Sequence, residues 1–148
     1  MDEAADRAAL KALLYEYARR LDAGDLDGVA RLFAHAEVGS TAHSVRARGT
    51  TAVRRLYDGI RLYDGRPGTQ HVITNVRLAI DAARRTAASQ CYFTVLQSHA
   101  DLPLQPILAG RYVDRFEHAR EGWRFAERTI AADLIGDLRH HMRPPERS

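Results

Sequence analysis

Asp64–Ile80 reads DGRPGTQHVITNVRLAI, and the hydrophobic period of the chain changes inside it. Upstream, apolar residues recur every three or four positions. Leu10, Leu13, Leu14, Tyr17 and Leu21 form one stripe over residues 2–22, which reads as an amphipathic helix. Gly24 can end that helix in a left-handed conformation, and Asp25 caps a shorter one with Leu26, Val29, Ala30 and Phe33 on its apolar side. Residues 35–48 are mixed and predict one short strand and a loop. Thr50 or Thr51 opens a third helix bearing Val53, Leu56, Tyr57 and Ile60, which Asp64–Gly68 (DGRPG) breaks. Downstream the period is two. Val72–Ile80, Thr86–Ser98, Ile107–His118 and Gly122–Ala131 read as strands, separated by the turn signals DAARR, ADLPLQP and AREG.

Helices followed by an antiparallel run define an α+β plan, with the helices covering one face of a curved sheet. The concave space between them predicts a pocket, and the sheet's outer face predicts a partner. Residues 1–138 read as a single domain, and residues 139–148, RHHMRPPERS, as a frayed polar tail.

With 148 residues and 45% hydrophobic content the chain can bury a real core. It has no apolar run long enough for a bilayer, and MDEAADRAAL lacks the apolar stretch of a signal peptide, so the expectation is a cytoplasmic protein that does not enter membranes. The net charge of +3 comes from arginines scattered among nearly as many acids, which argues against a nucleic-acid partner. Cys91 is the one cysteine and lies in an apolar run, as a buried small hydrophobe would.

The chemistry narrows by elimination. There is no His-x3-His pair on a helix and no Cys-x2-Cys, and the adjacent His140 and His141 read as solvated tail residues, so no metal is expected. No glycine-rich strand-to-helix loop and no Gly-x-Ser-x-Gly elbow occur, so no cofactor is expected. Acid–base chemistry remains. Asp22 sits in the last turn of the first helix, where the macrodipole disfavours an anion, while Asp25 is better placed as the next cap. His71 starts a strand at the mouth of the expected pocket. A carboxylate bonded to one imidazole nitrogen fixes the tautomer and raises the basicity of the other, so Asp22 could serve His71. An ideal helix places Asp22 about 120° from the apolar stripe (roughly 100° per residue), so the pairing requires the helix end to tilt inward. Tyr17 could line the pocket or pack in the core. Asp114 and Arg128 could pair across neighbouring strands.

Tyr17-x4-Asp22 followed by AGDLDGVARLFA, then TQHVITN, then GRYVDRFEHAREGWRFAER, resembles the SnoaL-like branch of the nuclear transport factor 2-like superfamily, over roughly residues 3–132. The resemblance implies a cone-shaped α+β fold, a deep apolar pocket, and a homodimer or homotrimer. The motifs are most similar to those of bile acid 7α-dehydratases and scytalone dehydratases. In such enzymes a pocket histidine, here His71, moves a proton during loss of water, and an aspartate, here Asp22, orients it. Leu96 falls where scytalone dehydratases carry a second histidine, Leu21 near one of their substrate-side tyrosines, and Tyr112 on a pocket asparagine, though Tyr112 could instead pack against Trp123. The implied activity is a cofactor-independent lyase or isomerase of the dehydratase kind, acting on a hydrophobic carbonyl compound such as a steroid, polyketide or terpenoid intermediate. A polyketide cyclase or ketosteroid isomerase-like enzyme using Asp22 alone, and a non-catalytic binding module, are the alternatives.

Overall fold

The structure, a computed structural model, describes residues 2–144, with the side chain of Val45 left aside. Helix α1 (Glu3–Asp22) starts where the Asp2 carboxylate accepts hydrogen bonds from the Ala4 and Ala5 amides. It buries Leu10, Leu14, Tyr17, Ala18 and Leu21, one face at helical spacing. The helix ends at Gly24, whose φ of 78° a side chain would resist, and a Cβ there would meet the Gly65 carbonyl oxygen at 1.9 Å. The end of α1 is therefore seated on the DGRPG break that leads into the sheet. Asp25 caps α2 (Leu26–Arg31) by accepting from the Gly28 amide at 2.8 Å.

The expected single strand and loop over residues 35–48 are a hairpin, β1 (Glu37–Ser40) and β2 (His43–Arg48). Next, α3 (Gly49–Leu56) ends earlier than its apolar pattern, because Ile60 leaves the helix to bridge Met142. Strands β3 (Thr69–Asp81), β4 (Thr86–His99), β5 (Leu102–Ala119) and β6 (Gly122–Ile135) follow, each longer than the sequence pattern suggests. The six strands are ordered β2-β1-β6-β5-β4-β3, antiparallel except for β1 beside β6. Register shifts interrupt β3–β4, β4–β5 and β5–β6. Such bulges bend the strands. The result is a curved, open sheet wrapped around α1, which packs against both β3 and β6 although two strands lie between them.

The space inside this cone is filled. Arg128 on β6 is fully buried and bonds Asp114 on β5 through two contacts, 2.7 and 2.8 Å, as the register Asp114↔Arg128 allows. Its guanidinium lies 3.9 Å from the Tyr112 ring centroid, 4.4 Å from Tyr17 and 4.9 Å from Phe125, a set of cation–π contacts. Tyr112 stacks on Phe93 at 4.3 Å and not on Trp123, whose indole instead donates to Asp6 on α1. Burial alone would lower the Arg128 pKa, but the charge of Asp114 and its hydrogen bonds carry it above the usual arginine value. Cys91 is buried as expected, and burial pushes its thiol up to about 11.

The tail differs from the frayed segment expected. His141 is buried, the Arg61 amide donates to its carbonyl at 2.8 Å, and the Arg143 amide donates to Gly59 at 2.7 Å. The rest of that segment, residues 145–148, lies outside the described residues.

Two outcomes follow from this packing. Asp114→Ala strands a buried guanidinium and should destabilise the fold by about 3–5 kcal/mol, whereas an apolar pair of similar volume replacing both residues should cost far less; chemical denaturation separates the two. On the outer face Tyr92, Val113 and Leu134 are 50%, 43% and 70% exposed, and Tyr92 and Leu134 line one shallow groove. An apolar face of this kind predicts self-association, and a strictly monomeric mass by light scattering at micromolar concentration would count against it.

Candidate active site

Asp22 and His71, 49 positions apart, meet where the end of α1 crosses the start of β3. The Asp22 carboxylate accepts three hydrogen bonds. Oδ1 takes one from the Thr69 hydroxyl at 2.8 Å and one from His71 Nδ1 at 2.6 Å, and Oδ2 takes one from the His71 amide at 2.8 Å. Because an ionised carboxylate can only accept, the ring proton of neutral His71 belongs on Nδ1, and Nε2 presents its lone pair. The His71 side chain is only 4% exposed and that of Asp22 20%, so the pair is enclosed yet within reach of solvent on the carboxylate side.

Local sequence explains the meeting. Thr69 and His71 are two apart on a strand and share a face, so both aim at the helix end. The Gly24–Gly65 approach brings that end onto the strand, which supplies the inward tilt that ideal helix geometry required.

The other sequence-selected residues are not all drawn to this pair. The Tyr17 hydroxyl lies 3.0 Å from that of Tyr57, and Tyr17 and Tyr112 meet edge to face at 5.5 Å beneath Arg128. Burial first, then the neighbouring Tyr17, raises the pKa of both Tyr57 and Tyr112, so both stay neutral phenols. Leu21 is a buried core residue. Leu96 is half-buried and alternates with Val95 and Gln97, both fully buried, which puts it on the opposite face of β4. The inward position is Gln97.

Three residues join the site that sequence reasoning did not select. Thr69 was legible, lying two positions before His71. Gln97 continues the inward series Cys91, Phe93, Val95 with a polar group, which is a readable signal. His141 gave none, because it stands among charged and proline residues and only tertiary contacts bury it. Its pKa is pushed down to about 4, by burial first and then by the charge of nearby His71, with Asp22 pulling the other way. Among the described residues no group of three or more His, Cys, Asp or Glu is arranged to hold a metal ion, and no helix is long and apolar enough to cross a membrane.

With this geometry in hand, the chain belongs to the SnoaL-like domain family, whose pattern it matches over residues 2–129. Its fold is similar to that of an NTF2-like protein with a cystatin-like fold from Novosphingobium aromaticivorans, at 21% identity and a TM-score of 0.72, covering 86% of this chain and 82% of that one. It is also similar to a candidate scytalone dehydratase from Novosphingobium aromaticivorans DSM 12444, at 20% identity and a TM-score of 0.72, covering 99% and 97% of the two chains. A protein of unknown function from Nostoc punctiforme matches at 18% identity and a TM-score of 0.74, covering 91% and 96%. No curated protein matches the chain.

The depressed His141 pKa has a signed consequence. Between the unfolded value near 6.5 and the folded value of about 4, the unfolded chain binds the additional proton. Stability from this residue is complete above pH 6.5 and is lost as pH falls toward 4, at a slope of up to about 1.4 kcal/mol per pH unit. His141→Asn should flatten unfolding free energy against pH in that window and leave it unchanged at pH 8 to 9.

Proposed function

We propose that the protein is a cofactor-independent lyase or isomerase of the dehydratase kind, acting on a hydrophobic carbonyl compound such as a steroid, polyketide or terpenoid intermediate. The observation that carries this reading is the Asp22 carboxylate held on His71 Nδ1 at 2.6 Å, with His71 almost wholly enclosed. His71 Nε2 takes the proton α to the carbonyl, and the C–H electron pair moves into the enolate. As the enolate collapses, the β-hydroxyl leaves and takes the same proton from the imidazolium, so the net change is loss of one water. Asp22 keeps Nδ1 protonated and steadies the charge that His71 acquires. Similarity to a candidate scytalone dehydratase supports the reaction class.

Two features bear on the details. Both Asp22 oxygens already accept hydrogen bonds from Thr69 and His71, so neither is turned toward a substrate, which weighs against Asp22 as a lone base in a cyclase or ketosteroid isomerase-like reaction. Arg128, Tyr17, Tyr112 and Phe93 fill the cone interior, which supports a substrate position at the α1–β3 end. Tyr17 and Tyr112 then belong to that packed interior and not to the substrate's surroundings.

A series of hydrophobic β-hydroxyketones, followed by the absorbance of the enone formed, tests the reading. His71→Ala should lower turnover by about 10²–10⁴-fold, and Asp22→Asn should lower it while leaving the fold intact. If His71→Ala is tolerated and Asp22→Asn is not, the lone-carboxylate mechanism replaces this one. If no enone forms with any member of the series, the protein is a binding module.

A further inference from the structure

A short strap after β6 is tied through Gln97 and Thr69 to the Asp22–His71 pair. The amides of His141 and Met142 both donate to the Leu138 carbonyl, at 3.0 and 2.9 Å, which tightens the strap into a turn. Its outer side is stitched to the segment after α3 through Arg61, Gly59 and the Ile60–Met142 bridge. Its inner side is held by Gln97, whose amide nitrogen donates to the His140 carbonyl at 3.0 Å and to the Pro67 carbonyl at 3.1 Å. Gln97 is the register partner of Thr69, and Thr69 donates to Asp22. One ladder step thus separates the strap's anchor from the carboxylate.

The two histidines of the strap are treated differently. The His140 ring turns to His99, with Nδ1 and Nε2 3.1 Å apart, and His99 in turn stacks on Tyr63. His141 goes inward, 5% exposed, and its buried Nδ1 has no hydrogen-bond partner among the described residues. Gln97 Oε1 is likewise buried and without a partner among them. Orphan polar atoms of this kind are rare in folded interiors, and two of them, one on Gln97 and one on the residue that follows its partner His140, call for a ligand. A histidine serving only to fill space would pack better as a leucine or phenylalanine.

Resting on the Asp22–His71 base argued above, we infer that His141 completes that site by donating a hydrogen bond from Nδ1 to the ligand's carbonyl oxygen, with Gln97 Oε1 receiving any hydroxyl beside it. The chemical class is a planar hydrophobic ketone, or its enol, whose oxygen gains charge when His71 removes the α-proton. An uncharged imidazole suits that role, because it stabilises an enolate oxygen without placing a second positive charge against the imidazolium of His71. The depressed pKa of His141 agrees with a ring that stays neutral while His71 cycles. His71 on β3 and Asp22 on α1 are the charged groups that act on the ring.

The test uses 2-naphthol, a flat phenol that mimics an enol, and naphthalene, which lacks the oxygen, with binding followed by fluorescence. Wild type should bind 2-naphthol at least about tenfold more tightly than naphthalene. His141→Ala should bring that ratio toward one while changing naphthalene affinity less than about twofold. In wild type, ¹⁵N-labelled His141 should shift its Nδ1 resonance with 2-naphthol and not with naphthalene, a readout that needs no variant. Equal affinities in wild type, no binding of 2-naphthol at millimolar concentration, an unchanged ratio in His141→Ala, or an unmoved Nδ1 resonance would each overturn the inference. The two readings fail separately. A hydroxyl preference that depends on His141 stands even where no β-hydroxyketone is turned over, and turnover that needs His71 stands even where His141 is indifferent.

Discussion

A fully buried arginine dictates how this cone is built. Arg128 cannot leave its charge unpaired in an interior of low dielectric, so Asp114 must face it across the β5–β6 ladder. Two hydrogen bonds and a carboxylate charge still leave the flat faces of the guanidinium, and aromatic rings take those. Tyr17 comes from α1, Tyr112 from β5, Phe33 from the turn after α2 and Phe125 from β6. One cation therefore sets the distance between the helical layer and the sheet. Tyr57, bonded to Tyr17, brings the end of α3 to the same point. Arg128 Nη1 has no partner among the described residues, and the side chain is fully buried beneath the rings.

That arrangement decides where polar groups can gather. A cone filled by rings around a cation leaves little room at its middle, and the Asp22 carboxylate with its three donors lies at the end where α1 stops. There a departure from local preference is offset by tertiary hydrogen bonds. An aspartate in the last turn opposes the helix dipole, at a cost of a few tenths to about 1 kcal/mol. Three donors from β3 outweigh it, because hydrogen bonds to a charged acceptor contribute about 1.5–3 kcal/mol each. Without Gly24 the helix end could not approach Gly65, and neither Thr69 nor His71 would reach the carboxylate.

How much of this could be read from the chain depends on the range of the contacts involved. The α+β order, the Asp25 cap, the left-handed Gly24 and the Asp114–Arg128 pairing follow from local chemistry or strand periodicity, and the structure carries all of them. The Asp22–His71 pair was legible because a carboxylate in the wrong place on a helix asks for a partner. Leu96 was not: an ungapped match assigns it inward, but alternation on β4 turns it outward and brings Gln97 in, beside the register shift at Val95/Leu96. Nor was the β1–β2 hairpin, since Gly39 and Ser40 blur its alternation and its pairing with β6 is parallel and remote.

The segment after β6 shows why burial can contradict composition. Arg139, His140, His141 and Arg143 look like solvated chain ends, and no periodicity marks them for the interior. Their backbone decides otherwise. Carbonyls and amides of His140, His141 and Arg143 find partners on Tyr63, Gln97, Arg61 and Gly59, which satisfies the main chain in partly buried surroundings. Once the main chain is fixed, the two histidine rings have only opposite directions to take. His140 meets His99, and His141 turns into the interior. A polar ring whose Nδ1 finds no partner among the described residues is the price of that placement.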